Sequence, residues 1–330
     1  MLPALTDYLR ANWVQLMPGY SLPDDFHYLI FMGNRFNCFV FINHYSFPVM
    51  VARVALPSRS DPCESREHTN LVRLHQIAKG PVVRTIPQPL EQVVLAGHIV
   101  TLQSVVPGVH IAVRDYLHSK SLDRLLGILL DWLLQFQAAS KTGRMSFTQE
   151  YLDRFSQMLV ERSQRANLSP SVQTSLVSEL RLVDELLGQE LPLVCQHGDL
   201  GPRNVLLSRR ALTGVVDWEY SSFDQLPFQD AFLIPILWFK DLQMAERGGP
   251  GISFVEEYVE AAAAFSQATR CAKAIGTFIE RVMRFYDLPL STRYVLLQWT
   301  LYECIPDDNL WRILVDVLTG LKLKNALIFS

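Results

Sequence analysis

Residues 193–220 read LVCQHGDLGPRNVLLSRRALTGVVDWEY, and their spacing decides the fold. Asn204–Ser208 and Thr213–Asp217 are apolar or β-forming runs on either side of Arg209–Leu212, a pattern that predicts a hairpin with a four-residue connection. In that register Asn204 faces Asp217, and residues directly opposite in an antiparallel pair have Cα atoms about 4.5–5.5 Å apart. An amide oxygen beside a carboxylate suits a hard cation. Magnesium in particular takes oxygen ligands, keeps several waters and bridges protein groups to phosphates. Asp199, five residues before Asn204, stands on the approach loop, where a carboxylate can accept a hydrogen bond from an incoming hydroxyl and orient it. Taken singly, the three residues read as a turn cap, a strand end and a loop start. Taken together, their spacing makes a phosphoryl-transfer set.

His197-Gly198-Asp199-Leu200 through Asn204 has the Asp-to-Asn spacing of the kinase signature H-R-D-L-x-x-x-N, with a metal-binding Asp on a later strand end. HGDLGPRN followed by GVVDWEY resembles the aminoglycoside phosphotransferase and choline kinase superfamily, in which Gly commonly replaces the kinase Arg. The resemblance implies an α+β, bilobal protein-kinase-like fold, with a small β-rich N-terminal lobe and a larger, mainly helical C-terminal lobe. It implies Asp199 as catalytic base, Asn204 and Asp217 as Mg2+ ligands, and ATP, with GTP as an alternative, as the donor. By the same resemblance His197 holds the catalytic loop, and Asp230, in FQDAFLI, is architectural.

The nucleotide side departs from the family. FPVMVARVALP (47–57) resembles the strand that presents a phosphate-binding Lys, yet it offers Arg53, and no lysine occurs before Lys79. Arg keeps a permanent charge and a planar fork of donors, but it is larger than an ammonium and harder to position. Glu67 lies one turn before Leu71 on the apolar face of a predicted helix, where an unpaired carboxylate is costly, so it is expected to pair with Arg53. Glu64 is the competing partner. The phosphate-covering loop is expected at Met32–Asn37, with Gly33 its one glycine and Asn37 at its end. An ordinary hairpin turn fits that stretch equally well. Adenine is expected against the strand Ile99–Ser104 and the following Val105–Gly108, with Ser104 and Val105 offering backbone groups.

Outward from these motifs, Phe26–Met32, Cys38–His44 and Pro48–Ala55 read as strands, Pro62–Lys79 as a helix, and Val93–Ala96 and Ile99–Ser104 as strands joined by Gly97-His98. Pro107-Gly108 breaks the pattern. The expected division is residues 1–105 as nucleotide-binding lobe and 106–330 as catalytic and substrate-binding lobe. Helix starts are expected at Ser121, at Ser146 with Gln149, and at Ser169-Pro170.

Composition narrows the class. The 330 residues are 49% apolar with net charge −3 and only seven lysines, which argues for a globular protein and against a nucleic-acid partner. The five cysteines contain no C-x-x-C pair and read as reduced thiols. The N-terminus lacks a secretory pattern, and no apolar run is long enough to insert in a membrane, so a cytoplasmic location is expected. The expected partner is a small-molecule hydroxyl acceptor, an amino alcohol, sugar or aminoglycoside, and the sequence assigns no oligomeric state. Glu219, Asp224, Glu256, Glu257 and Glu260 could form an acidic pocket for a polycation. Tyr220, Trp238, Trp299 and Trp311 could cage a choline-like cation, although aromatics at helical spacing are more often core. A nucleotide-binding pseudokinase or scaffold is the alternative function.

Overall fold

The computed structural model describes residues 1–32, 36–42, 47–55, 63–111, 119–208, 211–246, 270–305, 307–309, 311–313 and 315. Two compact units emerge, one formed by Met1–Val109 with Leu206–Ser221, the other by His110–Val205 with Ser222–Ser330.

The first unit is organised by an antiparallel sheet of order β1-β2-β3-β5-β4, made of β1 (His27–Met32), β2 (Phe36–Ile42), β3 (Pro48–Ala55), β4 (Pro89–Leu95) and β5 (His98–Ser104). The β4–β5 turn is Ala96-Gly97, both at positive φ, so His98 begins the strand and is not part of the turn. Alternation along the strands gives the sheet two characters. Phe39, Phe41, Met50, Ala52, Val54, Val100 and Leu102 point to one face and are covered by Leu5, Leu9, Trp13 and Leu16 of α1 (Leu2–Leu16). Those four positions repeat at intervals of four, four and three, the stripe of an amphipathic helix. This helix was not expected in a segment read as strand-rich. The opposite face carries Cys38, Arg53 and Thr101, which face one another across β2, β3 and β5. Helix α2 (Cys63–Ile77) buries Glu67, Leu71 and Leu74.

Three short strands form a second sheet of order β10-β9-β6: β6 (Val109–His110), β9 (Val205–Ser208) and β10 (Ala211–Val215). Gly108, at φ 129°, lies so close to β10 that a Cβ would stand 2.5 Å from Thr213 Oγ1, so no larger residue fits there. Thr213 Oγ1 donates to Leu206 O.

The second unit is mainly helical: α3 (Ser119–Ala139), α4 (Gln149–Arg165), α5 (Pro170–Leu180), α6 (Gln229–Glu246), α7 (Arg270–Phe285) and α8 (Arg293–Cys304). Its small sheet, β11-β8-β7, joins β11 (Ser222–Gln225), β8 (Glu190–Gln196) and β7 (Gly143–Ser146). Ser146 ends β7, and the cap of α4 is Thr148, whose hydroxyl accepts from Tyr151 N. Ser169 caps α5 by accepting from Val172 N. The buried Arg162 reaches the Tyr302 and Ile305 carbonyls and Asp308, closing the C-terminal turn of α8. Among the described residues, no helix is long and apolar enough to cross a membrane.

Leu9 is fully buried beneath the sheet, so Leu9→Ala should cost about 2–5 kcal/mol of unfolding free energy through lost transfer and a residual cavity. Urea titration should show a lower midpoint at an unchanged slope. No loss of stability would mean that α1 does not cover the sheet.

Candidate functional site

The residues of the HGDLGPRN segment, His197–Asn204, lie in the second unit. Strand β8 delivers His197, Gly198 and Asp199, and Asn204 closes a 3₁₀ turn over Pro202–Asn204. Asp230, in the first turn of α6, is fully buried and accepts from His197 N at 2.6 Å and Gly198 N at 2.9 Å. Its own N–H donates to Gln196 Oε1, and Gln196 Nε2 donates to Leu226 O, so four hydrogen bonds tie residues 196–198 to residues 226–230. Burial pushes the Asp230 carboxyl up to about 6; the two backbone N–H groups pull it down, and the Asp199 charge adds to the rise.

Gly198 has φ 83°, a left-handed conformation open to glycine at little cost. That is the physical reason for Gly where the kinase signature has Arg. Asp199 N donates to His197 Nδ1 at 3.3 Å, which leaves Nε2 to carry the proton of a neutral imidazole. Asn204 Nδ2 donates to Asp199 O at 2.8 Å and to Asp199 Oδ2 at 3.2 Å. The amide nitrogen is thus consumed inside the turn, and the amide oxygen is the atom left to act as a ligand. The oxygen donors fit a magnesium ion by type.

The nucleotide-side candidates lie in the first unit. Arg53 and Glu67, both buried, form an ion pair, and the Arg53 fork also reaches Asp217 Oδ1 at 3.4 Å from both terminal nitrogens. The Glu64 side chain lies outside the described residues. Asp217 sits at φ 70° and precedes the 3₁₀ turn Trp218–Tyr220. Aspartate tolerates this left-handed conformation better than most residues, but it must be held there. Helix α2 does so from both sides of the next residue. Glu67 Oε1 accepts from Trp218 N at 3.4 Å, and Asn70 Nδ2 donates to Trp218 O at 2.8 Å, with Glu219 O and Ser221 O at 3.4 and 3.5 Å. Asn70 was missed by sequence reasoning. It stands one helical turn after Glu67, and that i,i+3 spacing was the available signal.

Other expectations change. The hairpin around residues 209–212 is tighter than expected, because β10 already starts at Ala211, and Asn204 belongs to the 3₁₀ turn initiated by Pro202 and not to a strand. The register that set Asn204 against Asp217 therefore does not apply. Gly33 of the expected phosphate-covering loop lies outside the described residues, and Asn37 sits inside β2. There it pairs with Val54, on the sheet face opposite Arg53, so the two are not brought together. Ser104 donates its N–H to Gln88 O and accepts from Gln88 N through its hydroxyl, so neither group is left for a base.

Among acceptor-site candidates, Trp238, Trp299 and Trp311 are core residues: Trp238 donates to Leu200 O, Trp299 stacks on Phe155 and Tyr151, and Trp311 lies under Arg162. Tyr220 is exposed, Glu219 is buried and Asp224 is exposed, while Glu256, Glu257 and Glu260 lie outside the described residues.

Comparison with known proteins adds three findings. The family model described as "Phosphotransferase enzyme family" matches residues 39–274. A thermostable mutant of aminoglycoside phosphotransferase APH(4)-Ia, in ternary complex with AMP-PNP and hygromycin B, matches with a TM-score of 0.50 at 16% identity, covering 96% of this chain and 98% of that one. Choline kinase from Cryptosporidium parvum Iowa II gives a TM-score of 0.48 at 11% identity, covering 98% and 93%. No curated protein matches this chain in sequence. The α+β, protein-kinase-like fold class read from the sequence is the one found.

Two outcomes follow from the geometry. Asp230→Asn leaves one of two buried N–H groups facing an amide, and should cost about 1–3 kcal/mol. A carboxyl whose pKa is raised on folding holds its proton more tightly in the native state. The stability Asp230 adds is therefore full below the unfolded value of 3.8 and lost as pH rises through about 6. The gap between wild type and variant, measured by thermal or denaturant unfolding across that range, should be widest at low pH and narrow towards neutral; a constant gap would contradict the assignment. Asn70→Asp keeps the shape but removes the donor, so amide exchange over 217–221 should speed up by roughly tenfold or more, the equivalent of about 1.4 kcal/mol. Unchanged exchange would show that Asn70 does not hold the segment.

Proposed function

The chain belongs to the phosphotransferase enzyme family, and on that premise we propose that it moves the γ-phosphoryl group of ATP, or of GTP, to a hydroxyl of a small molecule in the presence of magnesium. It is a small-molecule kinase acting on an alcohol group. The observation that carries the finer reading is the catalytic turn, in which Asp230 fixes the backbone of His197 and Gly198 and Asn204 fixes Asp199.

In this reading the acceptor hydroxyl donates its hydrogen bond to the Asp199 carboxylate, which takes the proton as the oxygen attacks the γ-phosphorus. The bond from that phosphorus to the β-bridging oxygen breaks, and the nucleoside diphosphate leaves with the electron pair. Asn204 and Asp217 are the proposed magnesium ligands; the bound ion would neutralise phosphate charge. Arg53, oriented by Glu67, supplies a fixed cation to the phosphates, with Gly33 proposed in the covering segment and adenine placed at Val105. Residues 1–105 serve the nucleotide and 106–330 serve catalysis and the acceptor. The acceptor is an amino alcohol, sugar or aminoglycoside. A cytoplasmic setting keeps the thiols of Cys38 and Cys195 reduced.

Asp199 and Asp217 should fail differently when changed. Asp199→Asn should leave magnesium-dependent nucleotide binding intact while transfer falls by roughly 10²–10⁴-fold. Asp217→Asn should weaken metal-dependent nucleotide binding itself, because a neutral amide is a poorer ligand for a hard dication. Calorimetric ATP titrations with and without magnesium, beside turnover, read both. Equal loss of ATP affinity in the two variants, or full turnover in Asp199→Asn, would overturn the roles.

A further inference from the structure

The two edges of the five-stranded sheet are treated differently. At one edge β4 carries Pro89, Glu91 and a break in its register with β5 between them, devices that natural sheets use to stop a foreign strand from pairing. At the other edge β1 reads HYLIFM and pairs with β2 without interruption from His27 to Met32. It contains no proline, no Lys, Arg, Asp or Glu, and no bulge. Tyr28, Leu29, Ile30, Phe31 and Met32 are each between 36% and 84% exposed, on both faces of the strand. A regular edge of this kind offers a row of unpaired N–H and C=O groups flanked by apolar side chains.

We propose that β1 is a self-association surface, pairing antiparallel with β1 of a second copy to continue the sheet across a two-fold axis. This goes beyond the catalytic reading and does not depend on it. An isologous contact needs a surface complementary to itself, and an antiparallel strand provides one. With the axis normal to the sheet, opposed residues must share a face, so a residue pairs with one of the same parity. Centring the axis on Ile30 sets Tyr28 against Met32 and Leu29 against Phe31, so the whole exposed apolar run finds an apolar partner. The absence of charge in the strand gives a foreign sequence nothing specific to read, whereas a second copy matches it from Tyr28 to Met32. The five side chains offer on the order of 500 Å² per copy, or about 1,000 Å² in all before backbone is added, the size at which specific interfaces begin.

The register makes the test specific, because Ile30 faces itself with Cα atoms about 4.5–5.5 Å apart, within disulfide reach. Sedimentation of the full chain should show a concentration-dependent dimer between about 1 and 100 µM, and Ile30→Lys should shift it to monomer. An unaltered melting profile at low concentration would show that Ile30→Lys still folds. Ile30→Cys should give a covalent dimer under mild oxidation, while Val94→Cys, on the protected edge, should not exceed wild type. A monomer throughout that range, a dimer that survives Ile30→Lys, equal cross-linking at Val94, or open-ended aggregates in place of a dimer would each overturn the proposal.

Discussion

A buried cation sets the constraint around which the first unit is built. Arg53 stands mid-strand in β3, and strand alternation turns its side chain away from the α1 core towards Glu67. A guanidinium cannot lose its proton, so a carboxylate must meet it there. The pair need not add net stability, since desolvating both charges offsets much of their attraction. What it does is fix a position: Glu67 is tied to Arg53 through one oxygen and to the Trp218 N–H through the other, so strand β3, helix α2 and the segment after β10 are registered on one another. Arg also reaches Asp217 with the same fork, a geometry for which a point-like ammonium is less suited.

The second unit uses the same logic with the signs exchanged. Asp230 is a buried carboxylate satisfied by backbone N–H groups, and it stiffens the loop that carries Asp199. Gly198 permits the sharp backbone turn, and Asn204 closes it from the other side. In each unit a motif residue is held by a buried group drawn from a distant part of the sequence.

That arrangement explains what could be read in advance. The spacing HGDLGPRN…DWEY announced the fold and the candidate residues because catalytic loops constrain identity position by position. The Arg53–Glu67 pairing was also readable, since a carboxylate on an apolar helix face demands a partner. The register of the hairpin was not, because Pro202 starts a 3₁₀ turn that removes Asn204 from the strand, a local choice that β propensity alone does not reveal. Helix α1 was overlooked although its stripe of Leu5, Leu9, Trp13 and Leu16 was visible, as polar residues between them lowered its contrast with the strands that follow. Asn70 gave little away, because its partner carbonyl lies 148 residues along the chain. The tryptophans considered for a cation cage proved to be core, as large aromatics at helical spacing usually are.

The most direct test of the whole account is acceptor-dependent release of ADP from ATP and magnesium, screened across amino alcohols, sugars, aminoglycosides and thiamine, with the product's phosphate located by mass spectrometry. At least one acceptor should raise ADP release well above the slow background hydrolysis and emerge carrying a phosphate on a hydroxyl. Tight nucleotide binding with no acceptor-dependent release across all four classes would contradict it, and would mark the chain as a nucleotide-binding scaffold.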